Sequence, residues 1–176
     1  MKPSKRLFTI NCFVISVLIL SCGHPEHEYF NVTEKYKDAC LFYAYNEGDS
    51  IKLCKNNTDS MIFIIGEKKF YYLNDLYDSY NHYQVYEIYL AQTGFQYFSV
   101  TMQPDNSAPE LYIAFDDLEI FGLLETSNYS DSISGRYYSD LFKIRDRYVS
   151  TKYIITSRSQ GIVYAQNDTV QYVKVY

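Results

Sequence analysis

The chain has 176 residues, with 16 basic and 21 acidic side chains, 21 Tyr, 11 Phe and no Trp. An acidic chain without basic clusters is a poor electrostatic partner for nucleic acid, so that function class is excluded. Only seven Gly and four Pro against 47% hydrophobic residues exclude a disordered polymer, and the length suits one domain with enough core to fold alone.

The first element in chain order is an export signal. Lys2, Lys5 and Arg6 form a positive segment, and Leu7 to Leu20 follows as an apolar run of 14 residues. That run is short of the ~20 residues a spanning helix needs, so cleavage is the expected fate and a retained helical anchor is the alternative. The junction Ile19-Leu20-Ser21-Cys22 resembles a bacterial lipobox, with Ile19 and Ser21 in pattern and Leu20 larger than usual at its position. The resemblance implies that residues 1–21 are removed and that Cys22 becomes the lipidated first residue of the mature protein. Two acyl chains suffice for stable anchoring. The mature chain would carry a net charge of −8, which opposes binding to anionic headgroups and leaves the anchoring to the lipid. The expected location is therefore the outer membrane or the periplasmic face of a Gram-negative envelope.

Residues 22–38 are polar and lack clean periodicity, and they read as a tether between lipid and domain. The remaining 39–176 read as a single β-rich domain. Strands are predicted near Cys40–Tyr45, Ser50–Cys54, Ser60–Ile65 and Phe70–Leu73. The breaks between them are Asn46-Glu47-Gly48-Asp49, Asn56-Asn57-Thr58-Asp59 and Gly66-Glu67-Lys68-Lys69. Leu73 to Tyr83 is ambiguous, because Leu73, Leu76, Tyr77 and Tyr80 fit one face of a short helix. Gln84–Gln92 and Phe95–Met102 read as a hairpin about Thr93-Gly94, and a loop at Pro104–Pro109 precedes a strand at Glu110–Phe115. Leu118–Leu124 continues as strand, Asn128–Ser134 as a polar loop. The C-terminus reads as a meander of Leu141–Arg145, Lys152–Arg158, Ile162–Gln166 and Val170–Val175. In the last strand, Val173 and Val175 are assigned to the core, and Lys174, with Tyr172 on its face, to solvent. Roughly ten short strands at this spacing predict a mainly β fold, an antiparallel β-sandwich or partial barrel with at most one or two short helices.

Two cysteines remain in the domain. Cys40 and Cys54 fall on consecutive predicted strands and form a candidate disulfide, with two separate buried thiols as the alternative. A bridge would close 15 residues and contribute ~3 kcal/mol on a loop-entropy model. Neither has a Cys or His neighbour at zinc-ligand spacing.

Four segments match Asp-(Ser/Thr)-aliphatic: Asp49-Ser50-Ile51, Asp59-Ser60-Met61, Asp131-Ser132-Ile133 and Asp168-Thr169-Val170. They resemble the O-glycosylation motif of exported Bacteroidota proteins, which makes Ser50, Ser60, Ser132 and Thr169 candidate acceptors. The tail from Tyr137-Tyr138-Ser139 through Gly161-Ile162-Val163 to Tyr176 is similar to the tails of small Bacteroidota lipoproteins, a family to which no activity or catalytic residue is attached. Asn31, Asn56, Asn128 and Asn167 also head N-x-S/T sequons, relevant only to a eukaryotic secretory route.

No constellation for catalysis stands out, and no metal or cofactor is implied. His24-Pro25-Glu26-His27-Glu28 lies in the expected tether, where nothing would hold ligands rigid. His82 has no G-x-S-x-G elbow to work with and reads as a loop or helix residue. Asp116, Asp117 and Glu119 form the best acidic group, but neighbouring strand residues point to opposite faces unless the backbone bends. Arg136, Lys143, Arg145, Arg147 and Lys152 interleave with Tyr137, Tyr138 and Tyr148, an arrangement shared by binding surfaces and by ordinary exposed strands. The tyrosine excess itself has two readings. Tyr packs strands with its hydroxyl in water, or it builds a rigid aromatic binding face. The expected function is a non-enzymatic, lipid-anchored module binding an envelope protein, glycan or lipid. The alternatives are a hydrolase of envelope polymers acting through carboxylates such as Asp116 and Asp117, and a structural lipoprotein.

Overall fold

A computed structural model describes residues 26–39, 41, 43–74, 80–91, 97–101 and 109–176, with 97–101 described as backbone only. The expected signal segment 1–21, the expected lipidation residue Cys22, Cys40 and the expected turn at Thr93-Gly94 lie outside the described residues.

The chain is mainly β. In order the described residues form β1 (Glu28–Phe30), one helix, α1 (Glu34–Ala39), β2 (Ser50–Lys55), β3 (Asp59–Asn74), β4 (Asn81–Leu90), β5 (Tyr97–Thr101), β6 (Glu110–Phe115), β7 (Leu118–Ile133), β8 (Arg136–Asp146), β9 (Tyr153–Ser157), β10 (Gly161–Gln166) and β11 (Gln171–Lys174). All eleven strands belong to one sheet in the order β1-β4-β3-β2-β11-β10-β9-β8-β7-β6-β5. Every neighbouring pair is antiparallel except β1 with β4. β4 also pairs with β5, which draws the two ends of the sheet together. Of the two expected forms, this is the barrel-like curl of one sheet.

The core follows from period-2 alternation on strands with one apolar face. β6 buries Leu111, Ile113 and Phe115, and β7 buries Leu118 and Ile120 against them. β2 contributes Ile51 and Leu53, and the same cluster takes in Ile88, Leu90, Phe142, Ile144, Ile154, Ile162 and Tyr172. α1 closes over this core. Tyr36 and Ala39 are buried with Val32 just before the helix, and the Thr156 hydroxyl donates to the Ala39 carbonyl at 3.1 Å.

Several expectations are corrected. Residues 28–38, assigned to a polar tether, form β1 and all but the last residue of α1 and supply core side chains. The anchors Val32, Tyr36 and Ala39 are too sparse to give periodicity over so short a stretch. Around Cys40–Tyr45 there is no strand in the described residues, because Leu41, Tyr43 and Ala44 lie in turns and Leu41 sits at φ 69°. Cys54 is a free thiol and no disulfide is seen among the described residues, while Cys40, its expected partner, lies outside them. In the ladder Cys54 stands opposite Ser60 and Val173. Gly66-Glu67 is a bulge within one long strand and not a hairpin turn, since Ile65 pairs with Leu90 while Lys68 pairs with Ile88. Asn128–Ser134 is not a loop, for β7 runs on to Ile133 and turns at Ser134-Gly135. Both turn residues have positive φ, 50° and 79°, which is the two-residue hairpin that Ser-Gly signals. In β11 the core takes Tyr172, and Val173 and Val175 are only half-buried.

Candidate functional site

The Asp116-Asp117 pair is the two-residue turn between β6 and β7. Asp116 sits at φ 48°, and this bend brings the two carboxylates together instead of letting them diverge. Lys55 Nζ lies 2.6 Å from Asp116 Oδ2 and 2.6 Å from Asp117 Oδ2. The Tyr172 hydroxyl donates to Asp116 Oδ2 at 2.7 Å and accepts the Asp117 N–H at 3.3 Å. Burial works against the Asp116 charge, but the bonds from Lys55 and Tyr172 outweigh it and hold the carboxyl below its ordinary range. Burial and the Asp116 carboxylate together push the Tyr172 phenol up, so it remains a donor. A carboxylate held ionised and saturated with donors has no proton to give at neutral pH. Glu119 is turned away and accepts from the Tyr112 hydroxyl at 2.9 Å.

Other carboxylates serve turns. Asp146 accepts the backbone N–H groups of Phe121, Tyr148 and Val149. Asp140 accepts from the Ser157 hydroxyl and the Ser159 N–H. The basic stretch on β8 is largely paired: Lys143 and Arg145 with Glu125, Arg147 with Glu110, and Arg136 over the Tyr176 ring. Among the described residues no group of three or more His, Cys, Asp and Glu could hold a metal ion. Ser50, Ser60, Ser132 and Thr169 are all exposed, with Ser50, Ser60 and Ser132 on strands.

The side chains that do converge are aromatic. The bulge at Gly66-Glu67 switches the parity of β3. Phe63 and Ile65 point into the core before it, whereas Lys68, Phe70, Tyr72 and Asn74 share that face after it. On β4 the matching face carries His82, Gln84 and Tyr86, with Phe70 opposite Tyr86, Tyr72 opposite Gln84 and Asn74 opposite His82. β1 pairs alongside and sets Tyr29 beside His82. His27 and Tyr80, each two residues before a member of the face, join it. The result is an unbroken run of seven rings: Tyr80, His27, His82, Tyr29, Tyr72, Phe70 and Tyr86. Each touches the next at centroid separations between 4.7 and 5.7 Å.

The run begins where the core ends. Tyr86 is buried and belongs to the core cluster, and the Lys37 ammonium of α1 stands over its ring at 5.0 Å. Away from the helix the rings come to the surface, with Tyr29 56% and Phe70 53% exposed. Polar contacts fix the middle of the run. Tyr72 donates to Asn31 Oδ1 at 2.7 Å and accepts from Gln84 Nε2 at 3.3 Å, while Gln84 Oε1 accepts the Val32 N–H at 2.9 Å. The surface is therefore a pre-formed run of rings in stacked and edge-to-face contact, with exposed side-chain amides beside it. Its exposed rings offer apolar contact, and the amides hydrogen bonds, without reorganising.

Sequence reasoning set His27 aside in a tether and His82 in a loop or helix. The missed signal is the alternation Tyr80, His82, Gln84, Tyr86, visible once 81–86 is read as strand.

Comparison with protein families, with curated proteins and with solved structures finds no match. No helix among the described residues is long and apolar enough to cross a membrane.

Proposed function

We propose that this protein is a non-enzymatic binding module of the bacterial envelope, anchored through a lipid on Cys22, and that it takes neutral glycan chains on the aromatic strip. The observation that carries this reading is the continuous run of seven rings with Tyr29 and Phe70 half exposed. Pyranose rings present slightly positive C–H faces, which suit the negative faces of Tyr and Phe. Their hydroxyls suit the exposed amides of Asn31 and Asn74 at its border. A mature net charge of −8 disfavours anionic polymers, which points to a neutral chain. The hydrolase alternative would draw on Asp116 and Asp117, and Lys55 between them favours the binding reading instead.

The test is calorimetric titration with two neutral chains, N-acetylated chito-oligosaccharides and cello-oligosaccharides. Tyr29→Ala and Phe70→Ala should each weaken binding by about tenfold, in line with the loss of one aromatic stacking contact. Binding that survives both substitutions unchanged, or no binding of either probe, would overturn the reading.

A further inference from the structure

The two described histidines meet inside the strip. His27 Nδ1 lies 2.7 Å from His82 Nε2, with the ring planes 21° apart. On its other side His82 Nδ1 lies 2.8 Å from Asn74 Oδ1. An amide oxygen only accepts, so His82 Nδ1 carries the proton and His82 Nε2 is left as an acceptor. His27 Nδ1 must then be the donor to it. The chain of bonds runs from His27 to His82 to Asn74 and requires a neutral His82.

One added proton can be accommodated, since His27 as an imidazolium still donates from Nδ1. A second has to go to His82 Nε2, the acceptor of the bond. Two N–H groups and two positive charges would then face each other at hydrogen-bond distance. The groups against the pair are Tyr29 of β1, Asn74 of β3 and Tyr80 before β4, with Glu26 and Glu28 flanking His27 in the chain.

β1 has little else to hold it. It is three residues long with no fully buried side chain, and among the described residues it is held by pairing with Asn81–Tyr83, by one further backbone bond from the Glu28 N–H to the Tyr80 carbonyl at 2.8 Å, and by the ring contacts of Tyr29 with Tyr72 and of Phe30 with Tyr83. Short edge elements with few buried contacts open at low free energy. We infer that the His27–His82 pair is a proton-operated latch: its double protonation releases β1 from β4 and takes Tyr29 and His27 out of the aromatic strip. The consequence for ligand binding rests on the glycan reading above, whereas the latch itself does not.

The test is amide hydrogen exchange on the whole protein at about pH 7.5 and about pH 5, either side of the range in which histidine titrates. After correction for intrinsic rates, protection at Glu28 and Phe30, the β1 residues whose N–H groups face β4, should fall by about tenfold or more on acidification, the size of one lost hydrogen bond. Protection at Ile144 in β8 should not follow. His82→Gln keeps an acceptor for His27 but cannot be charged, so its β1 protection should be independent of pH. His27→Gln, which removes the other charge, should behave in the same way. Equal β1 protection at both pH values in the unaltered protein, or a pH-dependent loss that survives in both variants, overturns the latch. Titration with the same oligosaccharides at both pH values separates the two readings. A latch that opens while no glycan binds at either pH refutes the glycan reading alone. Glycan binding with β1 protection constant refutes the latch alone.

Discussion

Replacing Tyr172 by Phe removes a single oxygen from one end of the core. The ring is fully buried and packs edge-on against Phe115 at 5.1 Å, and Phe preserves that packing. What is lost is the donor to Asp116 Oδ2 at 2.7 Å and the weaker acceptor for the Asp117 N–H at 3.3 Å. A hydrogen bond to a charged group is worth roughly 1.5–3 kcal/mol. Asp116 keeps Lys55 and is 21% exposed at its side chain, so water can replace part of the loss. The lower end of the range, about 1.5–2 kcal/mol, is therefore expected, and it would lower the melting temperature by roughly 3–8 °C for a chain of this size. The pH dependence has a definite sign. Asp116 is held below its ordinary value in the folded state, so its contribution is complete above the unfolded carboxyl value of about 3.9 and is lost as pH falls through the folded value. The variant loses one of the bonds that lower it, so the gap between the two proteins should be full at neutral pH and close below about pH 4. Melting curves by circular dichroism across that range provide the assay. A variant with unchanged melting temperature at neutral pH, or a gap that stays constant into strong acid, would refute the coupling of Tyr172 to the Asp116 turn.

Gly161→Ala should be severely destabilising, by about 3 kcal/mol or more, because φ is +72° and the added methyl would overlap the Tyr45 ring and hydroxyl. Denaturant titration measures this, and a loss under about 1 kcal/mol would show that Tyr45 can move aside. Deleting Val170–Tyr176 removes the strand that joins β10 to β2 and exposes both ladders. The truncated chain should aggregate or lose cooperative unfolding, and a retained full-length melting temperature would contradict the strand order. Cys22→Ser should release the protein from the membrane fraction or block its processing. Fractionation that finds the variant still bound and processed would remove the lipid anchor from the proposal.

Much of the β architecture was legible locally. The strand at Glu110–Phe115 reads directly from its alternation, and β2, β9 and β10 fall within a residue or two of their sequence signals. Failures share a cause. α1 and β1 are short, and they exist because a sheet formed elsewhere offers them an edge and a core to cover. β7 past Asn128 offers just Tyr129 and Ile133 as apolar anchors, half-buried against Tyr138, Leu141, Ile155 and Val163, and pairing with β8 holds the remainder.

By itself the sequence determined the class: an aromatic, β-branched, Gly-poor and Pro-poor chain whose apolar residues alternate must bury one face of a sheet. It also placed the turn at Asn56-Asn57-Thr58, where both asparagines take positive φ. Only the tertiary structure decided which face each strand buries beyond an irregularity. The extra residue at Gly66-Glu67 inverts the parity of β3, so Phe70 and Tyr72, and not Tyr71 and Leu73, continue the inner face and meet the rings of β4. The same holds for β11. Hydrophobicity favours Val173 and Val175, but a buried phenol with a carboxylate at the end of its reach outcompetes two valines for the core. The candidate site was hidden for that reason. Each of its rings is ordinary in the sequence, and their contact depends on the register between β1, β3 and β4, which is fixed by pairing over long sequence separations and by a bulge whose position no local pattern reveals.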